Sequence, residues 1–245
     1  MLVALALALA GPSSSAAAAA PASPSPPAEI SVASLASGPY RDDALRLAQT
    51  VMPADRYIRM LEAAFVNGLR RGLTEDLTLE MESPGIGEEL TKAVLEAARP
   101  FFASSHQASL LTYARLYSRS LTPAETAELE ALFRSPLGQK LMAAKYDHIA
   151  SPAFASSIDV DKATTVAEID KVNRSVVGTL SSSMTQDDVQ QLLALSQKPV
   201  FAKFKALQLQ TSRIEAAEAN RPDPAYDAAI AAAVDSVIKR RSTKR

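Results

Sequence analysis

The chain has 245 residues, is 47% hydrophobic and carries a formal net charge of -1. That apolar share with so little net charge excludes a disordered chain. The absence of Cys excludes a disulfide scaffold, a thiolate metal site and a cysteine nucleophile. Lys+Arg at 26 against Asp+Glu at 27 lacks the basic excess of a nucleic-acid binder, so no nucleic-acid partner is expected.

No charged side chain precedes Glu29. Leu2 to Ala10 is an apolar run, followed by Gly11, Pro12, three Ser and the alanines Ala16 to Ala20. An apolar core followed by small residues is the layout of a secretory signal peptide, with Ala16-Ala17-Ala18 as a cleavage site. The run is too short to span a bilayer, which takes about 20 apolar residues. No Lys or Arg precedes it. Residues 1–20 are thus expected to be a signal peptide and 21–38 a Pro/Ser/Ala-rich linker, Pro21 to Pro27 favouring extended conformations. Residues 39–245 are expected to form one helical domain in a periplasmic or secreted protein.

From Asp42 onward apolar residues recur at intervals of three and four. The spacing predicts a helix over Asp42 to Val51 and another over Ala54 to Leu73, with Ile58, Leu61, Phe65 and Leu69 on one face. Ser83-Pro84-Gly85-Ile86-Gly87 reads as a loop. Glu88 to Ala98 and His106 to Arg119 read as two further helices. Thr122-Pro123-Ala124-Glu125 is a capping box with proline at the first helical position. Ser135-Pro136 starts a new helix with almost no loop, because a residue preceding proline avoids the α region. Leu129, Leu132, Phe133, Leu137 and Leu141 supply the buried stripe. A poorly patterned segment follows Ser151-Pro152. Val166 to Leu180 then carries helical spacing, Thr185 and Asp188 open another helix, Lys198-Pro199 restarts it, and Pro222 and Pro224 end it. Tyr226, Ile230, Val234, Val237 and Ile238 mark a last helix over 225–241. No stretch alternates long enough for a strand. The expected class is all-α.

The segment starting at Leu121 aligns with the one starting at Met184, a period of 63 residues. Thr122 meets Thr185, Glu125 meets Asp188, Leu129 meets Leu192, Pro136 meets Pro199, and Lys140 meets Lys203. Caps, buried stripe and interhelix proline thus recur together. The expected architecture is a multi-helix bundle of two related three-helix units, about 100–150 and 163–219. At Lys198 and Phe201 the second copy lacks the hydroxyl of Ser135 and the small Gly138, so a weaker helix start is expected there.

The string from Leu121 to Leu141 resembles a bacterial family, domain of unknown function 2059. Its signature is a Thr-x-x-Glu helix start followed by Phe-x-Ser-Pro-x-Gly-x-Lys. The matching residues are Thr122, Glu125, Phe133, Ser135, Pro136, Gly138 and Lys140. The signature covers about one tenth of the chain, with looser similarity upstream. The resemblance implies an exported, all-helical protein and supplies no chemistry, since the family carries no established activity. The chain departs from the pattern at Arg134, where an aromatic is common.

Gly-rich phosphate loops, nucleophile elbows and His-Glu-x-x-His patterns are absent from the sequence. His106 and His148 read as surface or half-buried histidines, and Ser104-Ser105 and Ser181-Ser182-Ser183 as helix caps. No catalytic, cofactor-binding or metal-ligating residue is assigned, and no cofactor is expected. The signature residues have structural roles in caps and close helix approach. Lys140 is open between capping carbonyls, pairing with an acid, and marking a shared surface. The basic tail Lys239 to Arg245 stabilises a helix C-terminus or touches anionic lipid head groups. The leading expectation is a non-catalytic envelope protein that binds a protein or a small ligand. The alternatives are a hydrolase or other enzyme with an acidic interhelical site, and a membrane-surface binder through the C-terminal tail.

Overall fold

A computed structural model of the chain describes residues 30–75, 81, 83–155, 165–167, 169, 171, 175 and 184–243. Among the described residues the regular structure is all α-helix, with no strand. The expected signal peptide and the first half of the expected linker, 21–29, lie outside them. So does most of the expected Val166–Leu180 helix, which was to open the expected second unit.

In chain order the helices are α1 (Val32–Leu35), α2 (Asp42–Val51), α3 (Ala54–Glu75), α4 (Ile86–Ser120), α5 (Pro123–Arg134), α6 (Pro136–Ile149), α7 (Pro152–Ala155), α8 (Gln186–Ser196), α9 (Pro199–Ala219) and α10 (Pro224–Ser242). The residues divide into two bodies. Among the described residues, one is drawn from 30–51, 110–145 and 165–219, and the other from 52–109, 146–155 and 220–243.

The break expected between Ala98 and His106 is absent. Helix α4 runs unbroken through Pro100. Its buried positions continue across the proline at spacings of four: Ile86, Leu90, Val94, Ala98, Phe102, His106 and Leu110. An interior proline costs a helix about 3 kcal/mol. Each large apolar side chain buried along that stripe returns about 1.5–3 kcal/mol, so the stripe wins. The loop at Ser83 also closes earlier than its two glycines suggest. Gly85 takes the left-handed turn position at φ 79°, and Gly87 already lies inside α4.

In the first body α2 packs on α5, and α9 touches α1, α5 and α8. Ala44, Leu47, Ala48 and Val51 turn one face of α2 inward. Tyr113, Tyr117, Phe204 and Phe133 form a column of rings with successive centroids 5.9, 6.4 and 5.4 Å apart. The segment expected to be linker as far as residue 38 is instead docked from α1 onward. Leu35 is buried. The Arg115 guanidinium donates to the Gly38 carbonyl at 2.9 Å and to that of Leu35 at 3.1 Å. Arg119 donates to the Ser34 carbonyl at 2.9 Å. Two arginines one helical turn apart thus capture carbonyls at the end of α1 and just beyond it, which a four-residue helix leaves without intrahelical partners.

In the second body His106 is buried, not superficial. Its Nε2 meets the Met52 carbonyl at 3.0 Å, and its ring lies 5.2 Å from that of Tyr57. The short helix α7 follows Ser151-Pro152 and packs on α3. Asn67 ties α3 to the chain just before α7 by donating to the Ala150 carbonyl at 3.1 Å. Helix α10 buries Val237 against Ile86 and Leu90. The tail is also partly docked. Arg241 pairs with Glu89 at 3.0 Å and donates to the Pro84 carbonyl at 2.9 Å.

Candidate functional site

Two helix–proline–helix hairpins build the most distinctive feature of the first body. Thr122 is extended, with φ -75° and ψ 161°, so its hydroxyl faces the first turn of α5. That hydroxyl accepts the Glu125 N–H at 3.3 Å, and the Glu125 carboxylate accepts the Thr122 N–H at 2.7 Å. Thr185 repeats the arrangement at φ -78° and ψ 164°. It accepts the Asp188 N–H at 3.2 Å, and Asp188 accepts the Thr185 N–H at 2.9 Å. Each box satisfies two N–H groups that a helix start leaves without intrahelical partners.

The two junctions differ. Ser135 alone separates α5 from α6. It is extended at ψ 160° and serves both helices. Its N–H reaches the Ala131 and Leu132 carbonyls, its hydroxyl donates to Leu132 at 2.7 Å, and it accepts the Gly138 N–H at 3.1 Å. The Gln139 amide donates to the Phe133 carbonyl at 2.7 Å. This crossing leaves no space at Gly138. A Cβ there would collide with the Leu132 carbonyl oxygen and lie 2.6 Å from the Phe133 Cα. In the second hairpin Phe201 stands where the first has Gly138, and two residues, Gln197 and Lys198, separate α8 from α9. The wider turn makes room for the ring.

Charged residues join the hairpins reciprocally. Lys140 of the first reaches Asp188 of the second at 2.5 Å, and Lys203 of the second reaches Glu125 of the first at 2.9 Å. The four residues occupy two pairs of equivalent positions in the 63-residue alignment, so each hairpin gives and receives the same contact. Lys140 therefore pairs with an acid, the second of the three roles open to it. The Lys140 ammonium beside Asp188, with the Thr185 N–H, holds that carboxyl down at about 2. Burial pushes Glu125 up, but the Thr122 N–H and the Lys203 ammonium outweigh it and leave Glu125 below the usual carboxylate range.

These shifts set a pH dependence. A carboxylate held below its unfolded value stabilises the fold above that value, and the contribution disappears as pH falls through the folded one. Stability is expected to be flat above the ordinary carboxylate range and to fall from there toward pH 2. Lys140→Met combined with Lys203→Met should flatten that fall, as read from thermal midpoints against pH. An unchanged slope in the double variant would show that these pairs do not supply it.

Between the hairpins lies an apolar groove of about 410 Å³. Its walls are helical stripes at positions i, i+3, i+4 and i+7. Helix α5 and its junction contribute Glu128, Ala131, Leu132 and Ser135; helix α8 and its junction contribute Gln191, Ala194, Leu195 and Lys198. Each residue of the first wall aligns with one of the second. Leu137 and Val200, also equivalent, share the lining with Leu129 and Phe201. Glu128 and Lys198 join across the rim at 2.7 Å, both about half exposed.

Residues 111–150 match the model of domain of unknown function 2059, described as uncharacterized proteins conserved in bacteria. The match takes in every signature residue from Thr122 to Lys140 and the whole first wall of the groove. It stops before α8, so the second wall lies outside it. No curated protein and no solved structure matches the chain. The family carries no assigned activity.

The signature residues thus fall together in one hairpin. Thr122, Glu125, Ser135 and Gly138 shape its two helix starts, Phe133 is buried in the ring column, and Pro136 opens α6. His106 belongs to the other body. Ser104 and Ser105 lie inside α4 and not near a helix end, because the helix continues through Pro100. Ser181 to Ser183 lie outside the described residues. Among the described residues no three His, Asp or Glu side chains gather as metal ligands. The groove and the reciprocal pairs were not anticipated. The signal was present in the alignment, which matches acid to acid and Lys to Lys.

Proposed function

We propose that this is an exported, non-catalytic interaction protein of the cell envelope, and that the groove between its hairpins receives the apolar stripe of an amphipathic helix from a protein partner. The single observation behind this reading is the groove wall. Two helices present i, i+3, i+4, i+7 stripes side by side, and a third helix packs its own ridge into such a gap. The rim carries one acid, one base, an amide and a hydroxyl. That mixed polarity suits the flanks of a protein helix better than an anionic lipid. The rim pair is half exposed, so parting it costs at most about 1 kcal/mol.

The enzyme alternative needs a carboxyl with its pKa raised in a cleft. The interhelical acids Glu125 and Asp188 are instead held down by lysines. The membrane-surface alternative loses one of its cations, since Arg241 is engaged by Glu89. Among the described residues no helix is long and apolar enough to cross a membrane.

Ala131 and Ala194 are exposed on opposite groove walls. A photo-crosslinker at Ala194 in intact cells should trap one envelope protein, and one at Asp235 on α10 should not trap it. Ala131→Glu should abolish the crosslink while leaving the thermal midpoint within a few degrees. A crosslink indifferent to Ala131→Glu, or no exported protein to label, would overturn the reading.

A further inference from the structure

A second concavity in the first body, away from the groove, has the make-up of a ligand site. It measures about 60 Å³ and is walled by the ring column of Tyr113, Tyr117, Phe133 and Phe204. Lys145 and Glu215 line it as well. Three features of these groups need explaining together.

Tyr117 is the first. It is 1% exposed, yet its hydroxyl makes no hydrogen bond to the described residues, whereas the neighbouring Tyr113 hydroxyl donates to Glu215 Oε1 at 2.7 Å. Tyr117 lines the cavity, so its hydroxyl is available to donate to a group held there. Burial, reinforced by the Glu215 carboxylate, pushes the Tyr117 phenol up, and it stays a neutral donor throughout the physiological range.

The second feature is the spacing of the charges. Lys145 Nζ stands 3.9 Å from Glu215 Oε1, an ion pair beyond hydrogen-bond range. Both side chains are part-buried, at 24% and 35% exposure. Each retains capacity: the ammonium has donors to spare, and Glu215 has a second oxygen. A cavity lined by one charge of each sign, both with hydrogen-bonding capacity left, complements a ligand that also carries both.

The third feature is size. A water needs about 10–15 Å³ of such space, so the cavity holds about four to six heavy atoms. A space of that size suits a small ligand, whereas drug-sized ligands occupy sites of several hundred Å³.

We infer that this cavity binds a small zwitterion of the amino-acid class, with its carboxylate on Lys145 and the Tyr117 hydroxyl and its ammonium on Glu215 against the ring faces. Aromatic faces attract the cation and leave its carbon skeleton in apolar surroundings. Glycine, with its amine and carboxylate on one carbon, fits within that space. The site is separate from the groove and stands whether or not the groove has a partner.

The test is a titration of the full chain with glycine, acetate and methylammonium, followed by amide chemical shifts and calorimetry. Saturable glycine binding is expected, with each single-charge probe at least tenfold weaker. Tyr117→Phe removes one oxygen from an otherwise intact ring and should weaken glycine at least fivefold. Lys145→Met should weaken acetate more than methylammonium, and Glu215→Gln the reverse. Silence with all three probes would mean a cavity that holds water only, and would overturn the proposal. So would acetate binding as tightly as glycine, or glycine binding unaltered by Tyr117→Phe. The wild-type comparison of the three probes decides the matter even if a variant fails to fold.

Discussion

Gly138→Ala is expected to lower the stability of the folded chain by about 3 kcal/mol, at the upper end of what overpacking costs. In a chain of this size that shifts the thermal midpoint down by about 6–12 °C. The added methyl would collide with the Leu132 carbonyl oxygen and come within 2.6 Å of the Phe133 Cα. Both atoms belong to the end of α5, whose path is set by the hydrogen bonds of Ser135 to the Ala131 and Leu132 carbonyls. Backbone cannot rotate aside as a side chain does, so the α5–α6 crossing must open. Opening it breaks the Ser135 bonds and disturbs Leu137, which is buried beside them. Gly68→Ala supplies the opposite expectation within the same chain. Nothing lies within 4 Å of a Cβ there, and the position is helical. Alanine should stabilise it by about 0.5–1 kcal/mol through helix propensity. Urea unfolding of both variants checks the contrast. A loss below about 1 kcal/mol at Gly138 would show that the junction is softer than its geometry.

Local signals in the chain were easy to read, and long-range ones were not. The helix over Asp42 to Val51 is found with the expected bounds, and the caps at Thr122 and Thr185 close as their spacing requires. These depend on residues within four positions of one another. The break expected between Ala98 and His106 failed because the stripe from Ile86 to Leu110, which holds α4 together through Pro100, is a tertiary effect. The strap at Ser34 to Gly38 misled for the same reason. Its small and polar residues surround a single leucine, Leu35, which is buried, and Arg115 and Arg119, some 80 positions later, bind its carbonyls. His106 was read as ordinary because a lone histidine says nothing of the Met52 carbonyl that satisfies it.

Glu125 and Asp188 connect the two scales. Each caps its own helix through a threonine N–H and also receives a lysine from the other hairpin. A residue that serves one helix start alone could be Glu, Gln or Asp without consequence elsewhere. A residue that also binds an ammonium needs its charge. Glu125→Gln should therefore keep the cap of α5, since an amide oxygen still accepts the Thr122 N–H, and lose the ion pair with Lys203, whose ammonium keeps at most the bond to that same oxygen. One oxygen of each acid serves both roles, so the substitution removes the charge and leaves the cap.

Leu129→Ala and Leu192→Ala are each expected to cost about 2–5 kcal/mol, the range for a buried leucine truncated in a core that relaxes only in part. The two residues occupy equivalent positions in α5 and α8, at 1% and 0% exposure. Their neighbours three positions on, Leu132 and Leu195, are only part-buried and line the groove. Truncating either of those should cost about 1 kcal/mol, because the apolar surface it removes was already partly in water. Four denaturant titrations thus test one claim: α5 and α8 turn the same face inward and the same face to the groove. If the hairpins are energetically alike, the two buried leucines fall together and the two groove leucines fall together. A Leu192→Ala cost near that of Leu195→Ala would instead make α8 a loosely packed helix. The groove would then have one firm wall, the α5 wall inside residues 111–150, and a second wall that only a bound partner would hold in place.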